Sequence, residues 1–185
     1  MSNESICQAN AIVNRYGMHS SCFIMLGMPY ETQEDAMDTV LLMSKAKPGR
    51  FRWTYFFPFP GTQAYDLSLE GGFIDANKMK ELTNFTDQSC LDFGDEQNLF
   101  ISKIGAIMPW FVNAHSDLDV APLYKEKVAK ILEMDKERGD AEKGSLVAAD
   151  RRISEELQKE GRSHYAIKYN RFMGVISDYF VNEAF

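Results

Sequence analysis

Two short apolar runs held apart by one clearly marked helix limit what this chain can fold into. Residues 20–26 read Ser-Ser-Cys-Phe-Ile-Met-Leu and stop at Gly27-Met28-Pro29, the pattern of a strand buried on both faces. Thr32 then opens a helix with Glu34 and Asp35 in its first turn, where carboxylates favour the positive end of the helix dipole. Ala36, Val40 and Met43 share one face, Lys45 stands near the end, and Pro48-Gly49 closes it. A second strand is predicted over about 51–57. Strand, helix and strand joined by short turns make a right-handed βαβ unit, and strands of this kind belong to parallel sheets.

The flanking text fits around that unit. Asn3 caps a first helix on which Ile6, Ala9, Val13 and Tyr16 fall at helical spacing, with Gly17 as its stop. Pro58-Phe59-Pro60-Gly61-Thr62 forces a turn, and residues 63–70 make a short helix ended by Gly71-Gly72. Beyond Asp75 the period is helical: one segment through Leu99, Ile104, Ile107 and Phe111 that Pro109 kinks or ends, one through Val128, Ile131 and Leu132, and one through Leu146, Ala149, Ile153 and Leu157. The tail from Ser163 to Phe185 is aromatic. The expected class is therefore α/β, with a strand-bearing part over 1–75 and a mostly α-helical extension over 76–185.

Composition narrows the partners. At 185 residues and 45% apolar the chain can bury a core without disulfide or metal staples. Its net charge of −7 repels phosphate backbones, so nucleic acid is not an expected partner. The acidity sits in the first 123 residues, while residues 125–162 carry ten positive and ten negative side chains, the mark of a solvated helical pair with ion pairs at i,i+4. No apolar run approaches the roughly 20 residues of a membrane-spanning helix. The start, Met1-Ser2-Asn3-Glu4-Ser5, has neither a basic region nor an apolar signal core, so a cytoplasmic protein is expected. On that reading the sequon Asn84-Phe85-Thr86 is a chance match. Cys7, Cys22 and Cys90 lie 15 and 68 residues apart and the three histidines are equally scattered, so no metal-site spacing is present.

Chemistry, if this chain has any, belongs at the carboxyl ends of its parallel strands, where α/β folds bind their ligands. Those ends are Leu26–Thr32, in which Gly27 lets the backbone approach a ligand, and Phe56–Thr62. Residues 51–59 hold six of the chain's 23 aromatic side chains, a cluster that serves either as core or as flat surfaces for a planar ring. Glu31 can accept bonds from a ligand or simply favour the start of the following helix. His115, with Asp117 and Asp119 close by, fits a surface ion pair better than a catalytic base. Trp53, Tyr55 and His115 are the candidates for a substrate pocket. Spacing alone reaches no reaction.

Taken together, Phe23-Ile24-Met25-Leu26-Gly27-Met28-Pro29-Tyr30-Glu31-Thr32-Gln33-Glu34-Asp35 and, about 20 residues on, Phe56-Phe57-Pro58-Phe59-Pro60-Gly61-Thr62 resemble radical S-adenosylmethionine (radical SAM) enzymes. They are most similar to the cobalamin-binding branch, in which a strand ending Gly-Leu-Pro-Gly-Glu-Thr is followed by a helix and a strand ending Pro-x-Pro-Gly-Thr. The resemblance covers about residues 3–75 and implies the C-terminal portion of a partial (βα)6 TIM-type barrel. It implies that Met25, Gly27 and Glu31, with Phe57, Pro58 and Phe59, bind the adenine of S-adenosylmethionine. It further implies a parent enzyme, an iron–sulfur oxidoreductase or methyltransferase, that uses a 4Fe-4S cluster, S-adenosylmethionine and in some members cobalamin on a small-molecule substrate.

Two departures accompany the resemblance. Tyr30 stands where the family has glycine, so a turn needing positive φ there is strained. The family's Cys-x-x-x-Cys-x-x-Cys loop, which holds the cluster, has no counterpart among these 185 residues. The resemblance therefore implies that an N-terminal barrel half or another subunit supplies the cluster, that this chain alone is inactive, and that an exposed strand edge promotes self-association. The alternatives are a non-catalytic helical interaction or regulatory module that retains half a barrel, and an unrelated α/β enzyme that uses the same strand ends.

Overall fold

A computed structural model describes residues 1–81, 88–170 and 175–181; the sequon at Asn84 lies outside them. Helix α1 (Asn3–Arg15) is capped by the Ser2 hydroxyl, one residue earlier than Asn3, and the chain leaves it through Gly17 at φ +64°. Strand β1 (Ser21–Leu26) is followed by α2 (Gln33–Ala46) and β2 (Arg50–Tyr55). A capping box closes the start of α2: the Thr32 hydroxyl accepts from the Asp35 N–H while the Asp35 carboxylate accepts from the Thr32 N–H. The two strands pair in parallel, from Ser21↔Arg50 to Leu26↔Tyr55, as the strand–helix–strand pattern requires.

The short helices α3 (Gln63–Glu70) and α4 (Ala76–Glu81) follow β2 and adjoin a small separate cluster around Phe56 and Leu91. Helix α5 (Asp95–Ala106) gives way at Ile107 to α6 (Met108–His115), with Pro109 in the first turn of the new helix, where its missing N–H costs nothing. Helices α7 (Ala121–Leu132) and α8 (Lys136–Lys159) form the balanced-charge pair, and the expected i,i+4 ion pairs appear as Lys130–Glu126 at 2.6 Å and Arg138–Glu142 at 2.7 Å. On one face of the strand–helix–strand unit, a single core joins α5 to α8 to the sheet: Ile24, Leu26, Phe51 and Tyr55 pack with Ala36 and Val40 of α2, Ile104 of α5, Phe111 of α6 and Val128 of α7.

Two features correct the sequence reading. The 76–185 extension is not helical to its end: β3 (His164–Asn170) and β4 (Val175–Val181) form an antiparallel hairpin, and β4 adds to β2 antiparallel, giving the order β1-β2-β4-β3. The sheet is therefore mixed. Nor is β1 buried on both faces. Cys22, Ile24 and Leu26 turn toward the helices, whereas Phe23 and Met25 on the other face are 71% and 48% exposed. All the core helices lie on one face, so alternate residues of one apolar run meet opposite environments. The far edge of β1 carries no strand among the described residues.

A buried polar layer docks the hairpin onto the helices. The Asn113 side chain donates to the Tyr165 carbonyl and accepts from the Tyr165 N–H, both at 2.8 Å, as a neighbouring strand would. Asp150, fully buried on α8, accepts from the Trp110 indole N–H and from the Ile167 N–H, both at 2.8 Å. His164 is also fully buried; its Nδ1 donates to the Arg162 carbonyl and its Nε2 lies 2.7 Å from the Ser154 hydroxyl. The Tyr165 hydroxyl reaches across to the Pro48 carbonyl at 2.7 Å.

Candidate functional site at the strand ends

The β1–α2 turn is built on two left-handed residues. Gly27 takes φ +74°, which glycine adopts freely, and Tyr30 takes φ +66°, which a bulky side chain resists. The turn is held closed from inside: the Gly27 N–H donates to Glu31 Oε2 at 2.5 Å and the Glu31 N–H to the Met28 carbonyl at 3.0 Å. Glu31 is half-buried, and burial lifts its carboxyl above the usual range against the opposing bond from Gly27. Tyr30 is braced by an edge-on contact with Phe73, ring centroids 5.0 Å apart.

The β2 exit lies alongside. The ladder continues one step past the strands through the Phe56 N–H and the Leu26 carbonyl at 2.8 Å, which brings the Gly27 turn and the Phe56–Phe59 segment together. Phe57 and Phe59 pack at 4.9 Å between centroids; Pro58 is buried, Phe57 half-buried and Phe59 exposed. Met25 stands on the open face of β1, in register with Thr54. Met25, Gly27 and Glu31 therefore share one end of the sheet with Phe57, Pro58 and Phe59.

The other three candidates lie elsewhere. Trp53 and Tyr55 are on the helix-covered face; the Trp53 indole donates to the Gly105 carbonyl at 2.8 Å, and the absence of a side chain at Gly105 leaves room for the Tyr55 ring. His115 ends α6, and the neighbouring Asp117 meets Lys47 just before β2 begins, so this corner belongs to the amino end of the strands. Burial and Lys125 hold the His115 imidazole below its usual pKa.

The sequence reading missed the segment that crowds the strand ends. Residues 88–94 pass over them: a side chain at position 27 would meet Ser89 Oγ at 3.4 Å and the Phe93 ring at 3.6 Å, and the Gln97 amide donates to the Glu31 carbonyl at 2.8 Å. Cys90, Leu91 and Phe56 make a second small core joined by Phe73, Ile74 and Phe93. Its only sequence signal is Cys90-Leu91-x-Phe93, too short to place in three dimensions. Among the described residues, no group of three or more His, Cys, Asp or Glu side chains comes together to hold a metal ion. None of the described helices is long and apolar enough to cross a membrane. Comparison with protein-family models, with curated proteins and with solved structures found no match to this chain.

Proposed function

We propose that this chain is the C-terminal part of a cytoplasmic radical SAM enzyme, supplying part of the S-adenosylmethionine and substrate pocket to a partial (βα)6 barrel. The observation that carries this reading is the one-sided sheet. Two parallel strands wear helices on one face, expose Phe23 and Met25 on the other, and leave an edge of β1 unpaired among the described residues. In a barrel that bare face is the interior and that edge pairs with the preceding strand. The missing barrel half, or another subunit, is the partner this requires.

On this reading Met25, Gly27, Glu31, Phe57, Pro58 and Phe59 border the adenine. Phe59, exposed and backed by Phe57, offers an apolar ring face, and Gly27 keeps the backbone approachable. The cysteines here do not suit a cluster. Cys7 lies on α1, Cys22 Sγ faces the Asn10 amide at 3.8 Å, and Cys90 Sγ faces the Phe56 carbonyl at 3.9 Å, with burial raising the pKa of the last two. Ligation of the 4Fe-4S cluster, and of cobalamin where the parent uses it, therefore falls to the other part. Any radical chemistry belongs to the assembled enzyme.

Reading the coding sequence in frame upstream of Met1, for about 200 codons or roughly the missing part of a barrel, tests this. A Cys-x-x-x-Cys-x-x-Cys segment is expected. A stop codon, with no neighbouring gene that supplies those cysteines, overturns the reading. In solution the chain alone should self-associate by light scattering, and the double variant Phe23→Lys, Met25→Lys should return it to monomer. The β3–β4 hairpin, which occupies the far edge of β2, favours the alternative of a self-contained interaction or regulatory module. That alternative predicts a monomer at every concentration.

A further inference from the structure

A separate cavity of about 190 Å³ opens beside the last residue of β2, between α4, α5 and the start of α8. Its base is apolar: Tyr55, Leu91 and Ile101 are all at most 3% exposed. Its charged groups come from three helices and offset one another. Lys78 of α4 and Lys136 of α8 line the cavity with Asp95 of α5. Lys78 also faces Asp75 at 4.0 Å, and Asp92 is held below the usual carboxylate range by the Gly94 N–H and the Asn98 amide and, further, by both lysines. The groups left over on the rim are uncharged. Among the described residues the Gln88 amide and the Ser102 hydroxyl make no hydrogen bond, and Ser89 Oγ accepts from the Leu91 N–H, which leaves its own O–H to donate.

We infer that this cavity binds an uncharged ligand, about the size of one six-membered ring, that carries a carboxamide. Three observations set the class. The volume exceeds the roughly 150 Å³ that holds benzene in an apolar cavity, which leaves room for a ring and one planar polar group. Charge excludes ions of either sign: an anion meets Asp95, with Asp75 and Asp92 already set against the lysines, and a cation meets the two ammonium groups. Neither finds a counter-ion that is not already matched. The hydrogen-bonding groups that remain, Gln88 and Ser102, come from separate segments and each offers both a donor and an acceptor. A carboxamide answers both, and a few such polar groups over an apolar base are the usual composition of a small-molecule site. The inference rests on this cavity alone and stands whether or not the barrel reading holds.

Saturation-transfer NMR on the 185-residue chain, which tolerates self-association, tests it with four probes of nearly the same shape: benzamide, its anionic analogue benzoate, its cationic analogue benzamidinium, and acetophenone, which accepts hydrogen bonds but donates none. Benzamide should bind with a Kd on the order of 1 mM, about fivefold more tightly than either ion and about threefold more tightly than acetophenone. Ser102→Ala, which places a better helix former in α5, should weaken benzamide about threefold. Gln88→Ala, at an exposed position, should weaken it about twofold. No benzamide signal, an ion that binds as tightly as benzamide, equal binding of benzamide and acetophenone, or an unchanged Kd in both variants each overturns the assignment.

Discussion

The two faces of the β1–β2 pair are made from the same strands, yet among the described residues only one is covered by helices. On the helix-covered face Leu26, Phe51 and Tyr55 are almost fully buried and belong to a core that draws residues from α2, α5, α6, α7 and α8. On the other, Phe23 has little beyond the Arg52 guanidinium, 5.5 Å from its ring centroid. An apolar residue contributes to stability in proportion to the surface it removes from water, so the face, and not the residue type, sets what each position is worth. The same apolar alternation therefore carries stabilising residues on one face and exposed ones, Phe23 and Met25, on the other.

The sharpest way to break this comparison is to truncate one aromatic on each face. Phe51→Ala should cost about 3–5 kcal/mol in urea unfolding, from lost burial and a residual cavity. Phe23→Ala should stay within about 1 kcal/mol. A loss at Phe23 as large as at Phe51 would mean that the open face is covered in solution.

Next in size is the polar layer that seals the covered side. Asp150→Ala leaves the Trp110 indole and the Ile167 N–H buried without an acceptor, at roughly 1–3 kcal/mol for each orphaned group. Burial raises the Asp150 carboxyl to about 6, against about 3.9 in an unfolded chain. A raised native pKa means that the folded state holds the proton more tightly, so this group's contribution is full below pH 4 and declines as pH rises through 6. The gap in stability between wild type and Asp150→Asn should therefore be widest near pH 4 and narrow above pH 6. A gap independent of pH would show that Asp150 is as readily ionised in the fold as out of it.

How much of this was legible follows the reach of each signal. Thr32 with Asp35, Gly17, and Pro109 act within four residues of themselves, so the β1–α2–β2 unit and the break between α5 and α6 could be read directly from the text. The hairpin could not. Its docking depends on Asn113 meeting the backbone of Tyr165 across 52 residues, and an asparagine within a helix carries no mark of that partner. For the site, the Gly27 and Phe57–Phe59 turns were visible because the parallel pairing that joins them follows from the strand–helix–strand order. Ser89, Phe93 and Gln97 were not, because they return to the site from more than 50 residues beyond the Gly27 turn. The strand periodicity also could not tell Trp53 and Tyr55 from a pocket lining, since it gives alternation but not which face the helices will choose.

The smallest expected effect sharpens the comparison at the strand ends. Tyr30→Gly relieves a left-handed residue at about 1–2 kcal/mol and removes the edge contact with Phe73, worth about 0.5–1.5 kcal/mol. Net stability should change by less than about 1 kcal/mol in thermal unfolding. A loss well beyond that would mark the Tyr30–Phe73 contact as a principal anchor of the turn.

The bond from the Tyr165 hydroxyl to the Pro48 carbonyl joins positions 117 residues apart. The strand–helix–strand unit leaves the ribosome before the hairpin, so both this bond and the pairing of β4 with β2 wait for residue 165 and beyond. A late, long-range closure of this kind slows folding and prolongs the exposure of unpaired strands. A polypeptide released before residue 165 would keep its signals for helix and strand yet lack the clasp between Tyr165 and Pro48.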